Sequence, residues 1–206
     1  MIAWSWINPH DRFTWWLESV PVIAGVPMII ALQKKFPLST LLLMLVWLHC
    51  VILVVGGHYT YALVPAGEWA KEWFGWTRNN YDKLGHFAQG LVPAILVREL
   101  LMRTSPLKHR THDTCDGTQV ADLKKPSQWL GFLVVCVCLA FSAFYELIEW
   151  FTAITTGEAA EAFLGTQGDP WDTQTDMLAA LIGAITAMIL LQRVHDRSIE
   201  KVLGKT

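Results

Sequence analysis

Three pairs of ionisable residues have the spacing that places both members on one face of a helix. The pairs are Asp82 and His86, Glu146 and Glu149, and Asp172 and Asp176. Side chains three or four positions apart project from the same side of an α-helix. Carboxylate and imidazole groups bind zinc, iron and manganese, so the pairs are compatible with a divalent-metal site whose metal the sequence does not specify.

A purely structural role is also open for each of these residues. Asp172 has the residue type of an N-cap, and the helix dipole favours Asp82 near a helix start. His86, Glu146 and Asp176 lie further inside, where an ionisable side chain costs on the order of 2.5–3.5 kcal/mol in the hydrocarbon region. That cost favours a functional role for the set as a whole.

Transmembrane helices are the elements that would position this set. The chain of 206 residues is 53% hydrophobic and contains eleven Trp, a residue favoured at membrane interfaces. A span needs about 20 apolar residues, and such runs occur at residues 13–32, 38–56, 81–102, 129–151 and 172–191. The sequence predicts an all-α fold, a polytopic transmembrane helix bundle of five spans that forms a single membrane domain over residues 1–206.

The distribution of Lys and Arg predicts the orientation of the spans. All but four of the sixteen basic residues fall on one side, and the exceptions are Arg12, Lys71, Arg78 and Lys83. Because cytoplasmic loops carry the excess of basic residues, we predict an outer N-terminus and a cytoplasmic C-terminus. The loops 57–80 and 152–171 are then outside, and the loop 103–127 is cytoplasmic. All three pairs fall at outer helix ends, together with His58.

The loops differ in character. Residues 68–73 have the composition of a short helix on the membrane surface. Residues 103–127 are polar and are predicted to be a solvated tether. The net charge of -2 gives no reason to expect nucleic acid as a partner.

Two motifs resemble those of known families. They are Tyr81-Asp-Lys-Leu-Gly-His-Phe87 and Asp176-Met-Leu-Ala-Ala-Leu-Ile-Gly183. Over most of its length the chain resembles the YjdF family of bacterial inner-membrane proteins, and the motifs are more distantly similar to those of the VanZ-like superfamily. The VanZ-like pattern matches this chain at Asp82, Lys83, His86, Phe87, Asp176 and Gly183, with Ala180 where that pattern has Asn.

The resemblance implies a multi-pass protein of the bacterial inner membrane. The VanZ-like similarity implies a role in the cell envelope and in glycopeptide tolerance, but it implies no reaction. Glu146, Glu149 and Asp172 lie outside the two motifs, so their expected role depends on spacing alone.

The clustered residues lead us to expect a metal-dependent membrane enzyme. The expected metal ligands are His58, Asp82, His86, Glu146 and Asp176. The metal would activate water for hydrolysis, with Glu149 or Asp172 as general base, and Arg78 or Lys83 would hold a phosphate head group. The expected substrate is a lipid or a lipid-linked envelope molecule at the periplasmic face, with membrane lipids as partners.

The alternative is a non-enzymatic role, as a small transporter or an envelope scaffold in which the same residues form a proton-linked or salt-bridged network. That role predicts a polar path continuing inward through His86, Gln89, His49, Arg98 and Glu99. The third span is apolar between Gln89 and Arg98, which favours a one-sided site. Glu18 either joins the pocket or reaches to the interface, and His49 is interpreted as a helix-packing hydrogen-bond donor.

Overall fold

Long helices form where the sequence has uninterrupted apolar runs. The computed structural model of the protein describes residues 1–108, 110–113, 119–122, 127–157 and 161–204. Its elements in chain order are the helices α1 (Ile2–Trp6), α2 (Arg12–Gln33), α3 (Thr40–Tyr59), α4 (Pro65–Phe74) and α5 (Tyr81–Thr104), the strands β1 (Arg110–Asp113) and β2 (Gln119–Asp122), and the helices α6 (Gln128–Thr156), α7 (Glu161–Leu164), α8 (Asp172–Thr186) and α9 (Gln192–Val202). Short 3₁₀ turns lie at Tyr61–Leu63 and Pro106–Lys108, and a π-helical segment, Ala187–Leu191, joins α8 to α9.

The five predicted spans correspond to α2, α3, α5, α6 and α8. Four helices are long and apolar enough to cross a membrane, namely α2, α3, α6 and the continuous helix Asp172–Val202 that α8 and α9 form. The 24-residue α5 is as long but more polar. The described chain is therefore a helical membrane protein with four candidate spans. The last helix runs beyond the predicted boundary at residue 191, because the π-helical segment continues it.

Two predicted loops contain regular structure. The predicted surface helix at residues 68–73 lies within α4, which begins at Pro65 and ends before Gly75 in the left-handed conformation. In the predicted tether, β1 and β2 form an antiparallel hairpin. The tether residues 109, 114–118 and 123–126 lie outside the described part of the chain.

The central helix of the bundle is α5, which packs against α3, α6 and α8. Its fully buried Ile95 belongs to one hydrophobic core with Leu42 of α3, Val134 of α6 and Ala184 of α8. This core occupies the half of the bundle nearer the C-terminal end of α5. The polar pairs predicted from the sequence therefore lie toward the N-terminal end of the same helix.

Two glycines bring the backbones of α5 and α8 into contact. A Cβ atom on Gly90 would overlap the carbonyl oxygen of Ala180, and a Cβ atom on Gly183 would overlap that of Phe87. Small residues permit this close approach between membrane helices. The same approach holds the first turn of α8 beside the first turns of α5.

A buried ionic network joins the other end of α5 to α9. The Glu99 carboxylate accepts a hydrogen bond from Arg103 at 2.8 Å and lies 3.0 Å from Nε2 of His195. Arg98 donates to Asp196 at 2.7 Å and lies 3.0 Å from Nδ1 of His195. Because Arg can only donate, Nδ1 accepts and Nε2 carries the proton donated to Glu99. His195 was not predicted from the sequence, because it lies beyond the predicted end of the last span.

Candidate functional site

The three predicted pairs meet at one end of the bundle. We call these six residues the polar cluster: Asp82 and His86 from α5, Glu146 and Glu149 from α6, and Asp172 and Asp176 from α8. None of the six is more than 9% exposed. The first turns of α5 and α8 and the C-terminal half of α6 therefore place all six side chains in one buried region.

His86 lies at the centre of the polar cluster, between carboxylates from three helices. Its Nε2 is 3.4 Å from Oδ1 of Asp82 and 3.8 Å from Oδ1 of Asp176, and its Nδ1 is 3.7 Å from Oε1 of Glu146. Two sets have ligand atoms within 4.8 Å of one another: Asp82, His86 and Asp176, and His86, Glu146 and Glu149. The imidazole thus belongs to two three-residue groups, one on each side of the ring, and each group could hold a metal ion.

Several polar atoms of the cluster are buried without a hydrogen-bond partner among the described residues. They are Nδ1 of His86, Oε1 of Glu146 and Oδ2 of Asp82. A buried polar atom left unpaired costs about 1–3 kcal/mol, and such atoms are uncommon in native proteins. The arrangement is therefore one that a bound ion or ordered water would complete.

Arg78 and Lys83 neutralise the α8 side of the cluster. Arg78 donates to Oδ1 of Asp172 at 2.6 Å and to Asp169 at 3.2 Å. Lys83 donates to the same Asp172 oxygen at 2.6 Å and to Asp176 at 2.8 Å. Asp172 does not cap α8 with its side chain, since the N-cap of that helix is Trp171. Two cations thus already hold the predicted general base, and carboxylates already hold the predicted phosphate ligands.

The α6 side of the cluster lacks this compensation. Within the described part of the chain, no Lys or Arg lies within ion-pair distance of Glu146, Glu149 or the neighbouring Glu18 of α2. These three carboxyl groups are 4–8% exposed. Among the described residues, the carboxyl groups of the site without a Lys or Arg partner are therefore those on the α6 and α2 side.

A cavity of about 130 Å³ lies beside this group, between α2, α3, α5 and α6. Its polar wall includes Glu18, His86 and Glu149. A buried water needs only about 10–15 Å³ of such space, so the cavity has room for several waters or for part of a larger ligand. Arg78 and Lys83 do not line it.

Three further cavity residues were not assigned to the site from the sequence alone. Glu18 lines the cavity, so it joins the pocket and does not reach to the interface. His49 also lines it, and its Nε2 is buried without a partner among the described residues, so the expected helix-packing hydrogen bond is not made by that atom. Tyr61, from the turn after α3, was not predicted. Burial, reinforced by the Glu18 carboxylate, raises the pKa of Tyr61 well above 10, so its hydroxyl stays a donor.

His58 does not join the polar cluster. Its Nδ1 lies 3.0 Å from the carbonyl oxygen of Ser5, and its ring packs against Trp4 with centroids 4.5 Å apart. It is the last but one residue of α3, where the α1 segment covers it. The expected role of His58 as a metal ligand therefore has no support from its position.

Asn79 and Gln167 tie together the two loops that border the cluster. The Asn79 N–H donates to Oε1 of Gln167 at 3.1 Å, and Nε2 of Gln167 donates to the Asn79 carbonyl oxygen at 2.9 Å. The Asn79 side chain also donates to the carbonyl oxygen of Val64 at 3.0 Å. These contacts fix the loop that carries Arg78. Sequence spacing gave no signal for them, because the two residues are far apart in the chain.

An apolar layer separates the cavity from the buried ionic network at the other end of α5. Gln89 is the last polar cavity residue on α5. Toward the C-terminal end of the helix it is followed by the buried apolar residues Val92, Ala94 and Ile95. The first polar residue beyond them on the helix is Arg98. In the described structure the two polar regions of α5 are thus separate.

Comparison with known proteins connects this architecture to a family. The sequence profile of the family described as "Predicted membrane protein (DUF2238)" matches residues 1–197. The chain is 47% identical over 201 residues to "Inner membrane protein YjdF" of Escherichia coli (strain K12), covering 98% of this chain and 88% of that protein. No solved structure matches the chain. The predicted YjdF-like resemblance and inner-membrane location are confirmed, and the chain belongs to the DUF2238 family of integral inner-membrane proteins.

Proposed function

We propose that this protein is a divalent-metal-dependent hydrolase that acts on a lipid or lipid-linked envelope substrate at the periplasmic face of the inner membrane. The observation that carries the proposal is the group of His86, Glu146 and Glu149, two buried carboxylates and an imidazole with no Lys or Arg among the described residues to balance them. Buried charge requires a partner. A divalent cation would supply it and would also pair the orphaned atoms of His86 and Glu146.

The spacing of the group is close to that of a metal site. Two ligand atoms bound to one zinc ion at about 2.0–2.2 Å and at the tetrahedral angle lie about 3.4 Å apart. Nδ1 of His86 and Oε1 of Glu146 are 3.7 Å apart, so a small side-chain movement would bring both into coordination. On the other ring nitrogen, Asp82 and Asp176 would orient the imidazole, as carboxylates do behind metal-bound histidines.

The chemistry would be hydrolysis by metal-activated water. A bound metal would lower the pKa of its water toward neutrality, which would generate a hydroxide nucleophile. In this arrangement Glu149 is a metal ligand, and Glu18, across the same cavity, is positioned to accept a proton from the water. The protonated Tyr61 hydroxyl would donate to developing negative charge. Asp172 would position Lys83 and Arg78.

The periplasmic location of the site depends on a five-span topology with the N-terminus outside. The fifth span would be α5, whose ionisable residues lie near its two ends. Asp82 and His86 are buried at one end, and Arg98 and Glu99 are buried at the other. Buried placement of this kind is how membrane helices tolerate charge. The distant similarity of the α5 and α8 motifs to the VanZ-like superfamily adds support for an envelope role.

Metal analysis tests the proposed centre directly. Protein purified without chelator and titrated with zinc or manganese is expected to bind the metal, and Glu149→Gln and His86→Ala are each expected to abolish binding. Asp176→Asn is expected to weaken it by about 10–100-fold, because that residue would act behind the ligand. Isothermal titration calorimetry and elemental analysis give the affinity and the stoichiometry.

Two control variants make the metal test specific. Glu72→Gln removes an exposed carboxylate on α4, and His58→Ala removes the sequence-predicted ligand that lies against Ser5; both are expected to bind metal as the unmodified protein does. Equal metal binding by all variants would sink the proposal. So would a correctly folded protein that binds neither ion, and the cluster would then be the salt-bridged network of a scaffold.

The topology is tested by labelling single cysteines in intact cells. With the native cysteines replaced, His10→Cys is expected to react with a membrane-impermeant maleimide and Glu200→Cys to be protected until the membrane is permeabilised. Both positions are exposed in the structure. The same accessibility at both positions would show an even number of spans and would contradict the five-span arrangement.

A further inference from the structure

The cavity reaches the lipid-facing surface of the bundle between α2 and α6. Two of its wall residues, Pro21 on α2 and Phe141 on α6, are also exposed on the surface of the bundle, with Phe141 at 56%. Both lie in helices that are apolar and long enough to span the membrane. A residue that lines a cavity and is exposed on a membrane-spanning surface marks an opening toward lipid.

The packing of the helices explains why the opening lies there. Helix α2 packs against α3, and α6 packs against α5 and α8, so the two helices face each other across the cavity. Near the polar cluster the gap is bridged by α7, which contacts both helices. Its Phe163 is 5% exposed and lies beside Tyr145, with ring centroids 6.5 Å apart. The gap is thus covered at the cluster end and open about one turn lower, at Phe141.

The cavity has the length and the polarity gradient to hold part of a lipid. Along α5 it extends from Asp82 to Pro93, which is about 16 Å at 1.5 Å per residue. Its acidic end holds Glu18 and Glu149, and its other end is walled by the apolar residues Pro21, Pro93 and Phe141 together with His49. An amphipathic molecule lying there would have its head at the polar cluster and its chain directed out to the bilayer.

We propose that a membrane lipid enters this cavity sideways, through the opening between Pro21 and Phe141, with its acyl chain in the gap between α2 and α6 and its head group beside Glu18, Glu149 and His86. The proposal deepens the proposed function by naming the class of substrate and its route, and only its catalytic consequence depends on that function. His49 and Gln89, which line the same cavity, would serve the polar linkage between chain and head.

Photo-crosslinking tests lipid access without requiring a reaction. The protein is reconstituted in vesicles of phosphatidylethanolamine and phosphatidylglycerol that contain a phosphatidylethanolamine with a diazirine in its acyl chain, because an ammonium head group suits the carboxyl-lined end of the cavity. After illumination, mass spectrometry is expected to find the label on the α5 peptide that contains Gly85 and Gln89. Both residues line the cavity, and fragment ions distinguish a label on them from a label on Leu84, which is 47% exposed on the same helix.

A matched pair of substitutions makes the result specific. Phe141→Trp is expected to fill the opening and remove the α5 label. Phe144→Trp, on the same helix and 59% exposed but outside the cavity wall, is expected to leave it unchanged. Labels confined to the outward faces of the helices in unmodified protein would overturn the proposal, and so would an α5 label that persists undiminished in Phe141→Trp.

The lipid route and the metal centre can fail separately. Crosslinking is repeated with EDTA and in Asp176→Asn, which weakens the proposed metal centre at a residue that does not line the cavity, and the α5 label is expected to remain in both. Label without metal binding would support the lipid site while removing the hydrolase. Metal binding without the α5 label would overturn the lateral route while leaving the metal centre intact.

Discussion

Gly183→Ala is expected to lower the free energy of unfolding by about 2–3 kcal/mol, the upper part of the range for overpacking, because the site cannot relax. The added methyl group would overlap the carbonyl oxygen of Phe87, which belongs to the backbone of α5 and cannot rotate away. Relief requires α5 and α8 to separate. Separation would also lengthen the Lys83 to Asp176 contact of 2.8 Å, so the polar cluster would loosen with the helix pair.

The matched control is Gly131→Ala on α6, where nothing lies within 4 Å of the new Cβ atom. There the change is expected to be neutral or to stabilise by up to about 1 kcal/mol, because alanine favours the helix over the unfolded chain. Unfolding by SDS titration in mixed micelles compares the two variants. A Gly183→Ala variant as stable as Gly131→Ala would show that the backbones of α5 and α8 are not in close contact.

The positions of the long helices could be predicted from the sequence because they depend only on the length of each apolar run, not on which helices pack together. A run of about 20 apolar residues commits a segment to a helix wherever its partners lie. Even the polar α5 was found, since its charged residues lie near its ends and leave an apolar middle. The depth of the polar pairs followed from the same count, and that depth is what brings Asp82, Glu146 and Asp176 together.

The partner of each polar side chain could not be predicted in this way. Partner choice depends on how each helix is rotated about its axis and on which helices are neighbours. His58 has the right depth but faces Ser5, whereas His49, about two and a half helix turns deeper, faces the cavity. Arg78 and Lys83 were expected to hold a phosphate head group, because the sequence does not show that α8 lies beside α5 and that its Asp172 binds both cations. The close contacts at Gly90 and Gly183 make α5 and α8 neighbours. A single sequence does not show which helix a glycine faces.

Lys83→Met is expected to cost about 3 kcal/mol of unfolding free energy, the lower end of the range for breaking a buried ion pair. Methionine keeps much of the length of the side chain and removes the charge. Asp176, whose side chain is 3% exposed, would lose its cationic hydrogen-bond partner, while Asp172 would keep only Arg78. The effect sits at the lower end because the Lys83 side chain is itself 21% exposed and keeps some access to water.

The matched control for Lys83 is Lys71→Met on α4, which breaks a pair with Glu68 at 3.1 Å whose side chains are 35% and 38% exposed. Such pairs contribute roughly 0.2–1 kcal/mol, so SDS titration should separate the two variants clearly. Equal losses would mean that Lys83 is as solvated as Lys71, and that the carboxylates of α8 are balanced in another way. In that event a metal in the Asp82, His86 and Asp176 group would become the better explanation of the buried charge, because that group would then be as uncompensated as His86, Glu146 and Glu149.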